Sequence, residues 1–438
     1  MKQFCLLIAT LCLFITQSYS QGDALNLEKY WKYRLRLLGN QTKEIPGFVN
    51  IGPNQGQSLP AEARNPNANC INDWAQKHDT CQLHPGNGKM VWSDGTTYLG
   101  FYIAVLSTEY ALRRKHKHDL KEISQELSWA LDAYIRVDKA AEPLFKHKEN
   151  YDGFFVRSDV PGDFCLQDPP PFPGYSCVYS EYACGVPSVI KGRFNSQDQC
   201  IYLLLGLAFV KKFVPPDAKD SQGNLILAKA QNIAHTMVSF LKENNWNIKD
   251  PRGVMPPNKW GGSAAPYSFQ IAKAAQSITG GQYRAPYQNR RSRQSGELMW
   301  QMVELSFGFQ YMQNRTMFLS LAAINNELSP NKCARIAKKS DLEMYALAQA
   351  VLHDTPLGNS LSQTHIKAIL DSAPVGGPCF GTEGCNAPKG WKASNRWLKY
   401  KFKDTGNPYG VHMEWNGLDY MILYNLYHLQ FLNTPYVQ

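Results

Sequence analysis

Three stretches of the chain share one pattern: a short polar segment holding one acidic residue, then a run that is apolar over most of a helical circumference. The first is W-S-D-G-T-T-Y-L-G-F-Y-I-A-V-L-S-T-E-Y-A-L, Trp92 to Leu112, in which Asp94 and Gly95 precede the apolar run. Phe194 to Val210 repeats it with Asp198, and His412 to Leu429 with Glu414. A helix apolar on more than one side is buried on more than one side, so each stretch predicts a central helix with an accessible polar start. Other segments carry a single apolar stripe. Leu120 to Ala141 places Ile123, Leu127, Leu131 and Ile135 on one face, and the short basic turn Arg113 to Asp119 makes it the antiparallel partner of the first central helix. Leu225 to Asn245 partners the second. Further helices are predicted at Leu25 to Leu38, Pro266 to Thr279, Glu297 to Tyr311, Thr316 to Asn325, Asp341 to His353, Ser362 to Asp371 and Leu418 to Leu432. The alternation of Phe155, Arg157 and Asp159 predicts an extended edge or small hairpin instead, with Arg157 and Asp159 on one side.

No strand–helix–strand rhythm runs through the chain, which argues against an α/β sheet and a β-sandwich. The expected class is all-α: an (α/α) toroid or barrel of helical hairpins with long irregular loops. A superhelical array would use the same hairpins, but the very apolar central helices favour closure. The expected division is a signal peptide over 1–20, an N-terminal helix and irregular covering segment over 21–91, and the toroid over 92–438.

Lys2, the apolar run Phe4 to Ile15 and the small-x-small triplet Ser18-Tyr19-Ser20 read as a secretory signal. No later apolar run has transmembrane length, so a secreted or periplasmic protein without a membrane anchor is expected. Of 11 cysteines, Cys5 and Cys12 fall in the signal. In an exported chain the other nine should largely pair: Cys70 with Cys81, Cys379 with Cys385, and some pairing among Cys165, Cys177, Cys184 and Cys200, leaving Cys333 as the isolated thiol. The formal net charge of +10 suits an acidic polymer without requiring one. Nucleic acid is not expected, because no binding motif accompanies the charge.

W-S-D-G-T-T-Y-L-G at 92–100, N-S-Q-D-Q at 195–199 and H-M-E-W-N-G-L-D-Y at 412–420 give the chain a resemblance, at the level of architecture, to exported (α/α) toroid enzymes acting on carbohydrate, both glycoside hydrolases and polysaccharide lyases. The resemblance implies an open cleft lined by aromatics and carboxylates and a carbohydrate partner, neutral or anionic.

Glycoside hydrolysis needs one carboxyl group to protonate the leaving oxygen and another to activate water or attack the sugar. Glu414 as acid and Asp94 as base, with Asp198 as alternative base, are the three that open apolar helices, although an acidic residue there also caps a helix or meets its dipole. Trp92, Trp260 and Trp415 offer flat surfaces for sugar rings. Tyr267 follows a glycine-rich loop, His412 and Asp419 flank Glu414, and Arg157 and Asp159 form a charged wall; all are candidate substrate contacts. Arg284, Arg290, Arg291 and Arg293 could hold an anionic glycan, which keeps a lyase open with His412, Tyr98 or Tyr267 as base. A non-catalytic glycan-binding or structural helical protein is the third reading. No cofactor and no metal is expected: Asp152, Asp159 and Asp163 are hard oxygen donors, but their spacing is not that of a calcium loop. The absence of G-x-S-x-G and H-E-x-x-H argues against serine-hydrolase and zinc-protease chemistry.

Overall fold

The computed structural model describes residues 23–35, 37–38, 48–64, 89–92, 95–142, 151–160, 176–177, 195–249, 267–281, 283, 312–340, 342–373, 413–414 and 417–431, with backbone alone for the strands and for 312–314. The chain is mostly helical. In order, the helices are α1 (23–35), α2 (Gly95–Lys115), α3 (Lys121–Lys139), α4 (Gln197–Phe213), α5 (Ile226–Glu243), α6 (Ser268–Thr279), α7 (Met312–Asn325), α8 (Pro330–Ser340), α9 (Glu343–His353), α10 (Gln363–Asp371) and α11 (Leu418–Phe431). Among the described residues no helix is long and apolar enough to cross a membrane.

Burial sorts the helices into two kinds. In α2, 17 of 21 residues are buried, and α4 is buried without a break from Asp198 to Val210, so both are enclosed by neighbours all round. By contrast α3 buries one stripe, Ile123, Leu127, Leu131, Tyr134 and Val137, and turns Glu122, Arg136 and Lys139 outward to varying degrees. The enclosed helices pack in succession: α2 on α4, α4 on α7, α7 on α9, α9 on α11 and α11 on α2, while α6 packs on α4, α5 and α7. Helices α3, α5, α8 and α10 lie on α2, α4, α9 and α11 respectively.

Like ends meet along this succession. The backbone at Gly100 in α2 faces that of Tyr202 in α4, and the Tyr202 hydroxyl hydrogen-bonds Thr316 Oγ1 near the start of α7. At the other end His353 Nε2 lies 2.8 Å from the Ala323 carbonyl, and Gln430 Nε2 donates to the Thr355 carbonyl at 3.2 Å. Lys212, closing α4, pairs with Asp354, just past α9. These contacts require α2, α4, α7, α9 and α11 to run in one direction, with their starts at a common end.

Four short strands gather at that end: β1 (Glu62–Arg64), β2 (Lys89–Val91), β3 (Ser176–Cys177) and β4 (Met413–Glu414), in the order β3-β2-β1-β4. β1 takes β2 antiparallel on one side (Ala63↔Met90) and β4 antiparallel on the other (Ala63↔Glu414), so one strand joins the lead-in of α2 to that of α11. No strand was expected from the sequence here. The 151–160 segment, expected as an extended edge or small hairpin, forms no strand but holds single β-bridge residues at Val156 and Ser158; it links the helix starts, with the Phe155 carbonyl accepting from Asn195 N at 3.1 Å and the Arg157 carbonyl facing Gly95.

Helix α1 fastens the first hairpin to the last. Its Arg34 reaches both α2 and α3, with Nε on Glu109 at 3.0 Å and two parallel bonds to Glu126 at 2.8 and 2.9 Å. Tyr30 and Arg113 complete the shell of Glu109 at 2.8 and 2.9 Å. Lys29 Nζ donates to the last carbonyls of α10, those of Leu370 and Asp371, and the Tyr420 hydroxyl of α11 donates to the Asn26 carbonyl.

The predicted helices at Leu25, Leu120, Leu225, Pro266, Thr316, Asp341, Ser362 and Leu418 are present within a few residues at their ends. Helix α8 was not expected. Glu297 to Tyr311 lies outside the described residues, as do the signal segment 1–20 and the cysteines 70, 81, 165, 184, 379 and 385. Cys200 and Cys333 are both free and buried, which removes Cys200 from the expected pairings and agrees with Cys333 as the isolated thiol.

Candidate active site at the common helix end

Helix α4 begins N-S-Q-D-Q, and each of these polar residues has a distinct local task. Ser196 is the extended N-cap residue, yet its hydroxyl donates to Asp198 Oδ1 and its oxygen accepts no capping bond from a backbone N–H. Asp198, in the first turn, suits the positive end of the helix. It is 5% exposed, so its carboxylate is held inside the end of the helix array and not on an open surface. Asn195 is fixed by its backbone bond to Phe155, and Gln199 is fully buried. One turn further in, Tyr202 meets Thr316. Tyr267, immediately before α6, is buried too; burial pushes its hydroxyl well up, and Tyr202 and then Asp198 add to this, which puts the two phenols and the carboxylate within electrostatic reach.

The α2 side supplies hydroxyls. Gly100 abuts Tyr202 and Leu203, and Thr96 and Thr97 stand about one turn before it on α2 as Asp198 and Gln199 stand one turn before those residues on α4. The Thr96 and Thr97 hydroxyls, the Asn195 side-chain oxygen and both amide atoms of Gln199 are buried and have no hydrogen-bond partner among the described residues. A buried polar atom left so costs about 1–3 kcal/mol, and such atoms are few in folded proteins. Five of them on four residues at the starts of two adjacent helices form a buried group of donors and acceptors with no partner among the described residues.

Of the residues singled out from the sequence, Asp198 and Tyr267 come together here. Arg157 is half-buried in the bridging segment. Asp159 is buried and turned to Arg136 of α3, Nε to Oδ2 2.9 Å, while the same guanidinium donates to the carbonyls of Pro53 and Gln57. Burial raises the Asp159 carboxyl and Arg136 offsets only part of the rise, the balance of a structural ion pair. Trp92 is 1% exposed with its indole N–H on the Leu59 carbonyl at 3.1 Å, so its ring fills the core beneath the sheet and has no free face for a sugar. Asp419 is half-buried in the first turn of α11 and accepts from Tyr420 N at 2.9 Å. Glu414 sits in β4 opposite Ala63, described by backbone only. Asp94, Trp260, His412 and Trp415 lie outside the described residues.

Gln199, Asn195, Tyr202 and Thr316 were missed in the sequence. The first two stand inside the N-S-Q-D-Q motif and were legible there as polar residues opening an apolar helix. Thr316 is 114 positions from Tyr202 and had no local signal.

No protein-family model, no curated protein and no solved structure matches this chain.

Proposed function

We propose that the protein is an exported glycoside hydrolase built on an (α/α) toroid, with its catalytic carboxyl groups at the common end of the central helices. The succession of packed helices that returns from α11 to α2, all running one way, is the packing a toroid requires. The observation that carries the functional reading is Asp198: a buried carboxylate at a helix start, oriented by Ser196, beside Tyr267 and the unpartnered groups of Thr96, Thr97, Asn195 and Gln199. Hydroxyls and amides of that kind match the alternating donors and acceptors of a polyhydroxylated ligand, and the carboxylate supplies a base. Glu414 is the proposed acid. Its strand pairs with β1, whose other neighbour β2 leads into α2, so Glu414 belongs to the same end of the helix array; an inverting pair would need carboxyl groups roughly 6.5–9.5 Å apart. Asp94, just beyond β2, is the alternative base.

A panel of neutral and acidic glycans, read for new reducing ends and for the ultraviolet absorbance of an unsaturated uronate, tests the reading. Reducing ends without absorbance, lost in Asp198→Asn and Glu414→Gln, are the expected result. Absorbance would make the enzyme a lyase, and activity unchanged in Asp198→Asn, Glu414→Gln and Asp94→Asn would remove the assignment.

A further inference from the structure

Behind the bridging segment, three carboxylates converge in one enclosed place: Asp138 at the last turn of α3, Glu142 one turn on, and Asp152 from the segment itself, with one oxygen of each within 4.8 Å of the others. Asp138 is fully buried and Glu142 nearly so. Helix electrostatics oppose this arrangement, because a helix C-terminus carries partial negative charge. The backbone nevertheless organises it. Asp138 accepts from Asp152 N at 3.2 Å and Gly153 N at 2.9 Å, and Asp152 accepts from Phe154 N at 2.8 Å. Gly153 has φ +97°, and a Cβ there would lie 2.4 Å from the Thr236 carbonyl of α5, so only glycine lets the loop press its donors onto Asp138.

A separate observation points to a ligand. Tyr134, one turn before Asp138 on the same face of α3, is fully buried and its hydroxyl has no hydrogen-bond partner among the described residues. That oxygen lies among Asp138, Tyr151, Cys200 and Asp152, which in that order, after burial itself, raise it. Burial first, and then Asp152, push the Asp138 carboxyl up to about 8 against the two N–H donors, which is the cost of confining three acids together.

We propose that Asp138, Glu142 and Asp152, with the Tyr134 hydroxyl, form a binding site for a hard divalent cation, calcium by preference. The four proposed donors are all oxygens, which favours a hard cation over the soft metals that thiolates hold. Oxygens on opposite sides of a calcium ion lie up to about 4.8 Å apart, and the three carboxylate oxygens all fall within that reach of one another; magnesium, which keeps several of its waters, suits an enclosed cluster less well. The bound ion would tie the end of α3 to the segment whose Phe155 and Arg157 carbonyls meet the starts of α4 and α2, bracing the common helix end from behind. This site stands whether or not the chain hydrolyses glycans.

The test uses the full chain, treated with chelator and then titrated with calcium, magnesium or terbium. Tyrosine-sensitised terbium luminescence that calcium displaces, together with a calcium-dependent rise in melting temperature, is expected. Asp152→Asn, which keeps the side-chain volume and an acceptor for Phe154 N, should weaken calcium at least about tenfold; Tyr134→Phe should fold normally and cut the terbium signal. A parent melting temperature indifferent to calcium, with no displaceable luminescence, would overturn the site, as would calcium affinity unchanged in Asp152→Asn. Should Asp138→Asn stabilise the calcium-free chain while the parent ignores calcium, the cluster is held by a shared proton and the proposal fails.

Discussion

Gly100→Ala is a substitution for which local and tertiary reasoning give opposite signs. Alanine is the better helix former by about 1 kcal/mol, so in isolation the change would strengthen α2. Inside the protein the new Cβ would stand 2.3 Å from the Tyr202 carbonyl oxygen, 2.5 Å from its carbon and 2.8 Å from Leu203 N, all backbone atoms of α4. No rotamer change relieves a backbone contact. Reaching even 3.0 Å requires a displacement of 3.0 − 2.3 = 0.7 Å between two of the most enclosed helices. Gaps of about 0.5–1 Å forfeit a quarter to a half of each dispersion contact along the interface, and overpacking of this sort costs about 1–3 kcal/mol or more. Because the clash is with backbone, the upper end of about 3 kcal/mol applies, and less the propensity gain of about 1 kcal/mol we expect a loss of about 2 kcal/mol. Gly206 makes the reciprocal approach, its Cβ position lying 2.4 Å from the Gly100 carbonyl. Once one alanine has parted the helices the second meets less resistance, so the double variant should lose less than the sum of the singles. Urea unfolding of the parent, both singles and the double, with slopes compared, measures all of this. A Gly100→Ala midpoint at or above the parent's, or strict additivity in the double, would refute the close crossing of α2 and α4.

Arg34→Ala should cost about 3–5 kcal/mol, because it leaves Glu109 buried with less compensation; burial raises that carboxyl, and Arg34 first and Arg113 next bring it below its ordinary value. Adding Glu109→Gln should recover part of the loss, and chemical denaturation of the cycle decides it. His428 is buried, and burial, followed by His116 and Lys115, lowers its pKa from 6.5 to about 4. The unfolded chain therefore takes up this proton first: the stability tied to a neutral His428 is complete above about pH 6.5 and falls as pH drops toward 4, by up to about 3 kcal/mol. Stability against pH for the parent and His428→Phe should show a flatter limb in the variant, and parallel limbs would contradict the shift. Burial holds the Cys333 thiol up at about 12 and the Cys200 thiol higher still. Peptide mapping after iodoacetamide should find both unmodified in the native protein and modified in denaturant; native labelling of either would show that its helix opens.

The central helices were legible because being apolar all round is a property of consecutive residues. The run from Cys200 to Val210 holds no charged side chain, and burial follows without exception. Helix α8 was illegible for the opposite reason: its inner face is Cys333, Ala334, Ile336 and Ala337, too small to stand out against the lysines around it, and Pro330, which reads as a breaker, occupies a helix start where its missing N–H costs nothing. Asp159 and Trp92 looked like cleft residues because polarity and aromaticity do not announce their partners; Arg136 lies 23 positions from Asp159 and the Leu59 carbonyl 33 from Trp92. The acid cluster shows the same limit. In the sequence Asp152 groups with its neighbours Asp159 and Asp163, whereas its spatial partners belong to the end of the preceding helix.

Long-range polar contacts, which no local pattern encodes, also explain how the common end is held. Its lead-ins are joined by very short strands, and a two- or three-residue ladder adds little by itself. The remaining constraint comes from behind and from the side: Asp159 with Arg136 and the Asp138–Gly153 contacts anchor the bridging segment to α3, and α1 clasps α2 and α3 to α10 and α11 through Arg34, Lys29 and Asn26. Asp198 can be oriented by so short a motif as N-S-Q-D because its surroundings are fixed by ion pairs and carbonyl contacts made elsewhere in the chain. Loosening those contacts should therefore disturb the site without touching any residue in it.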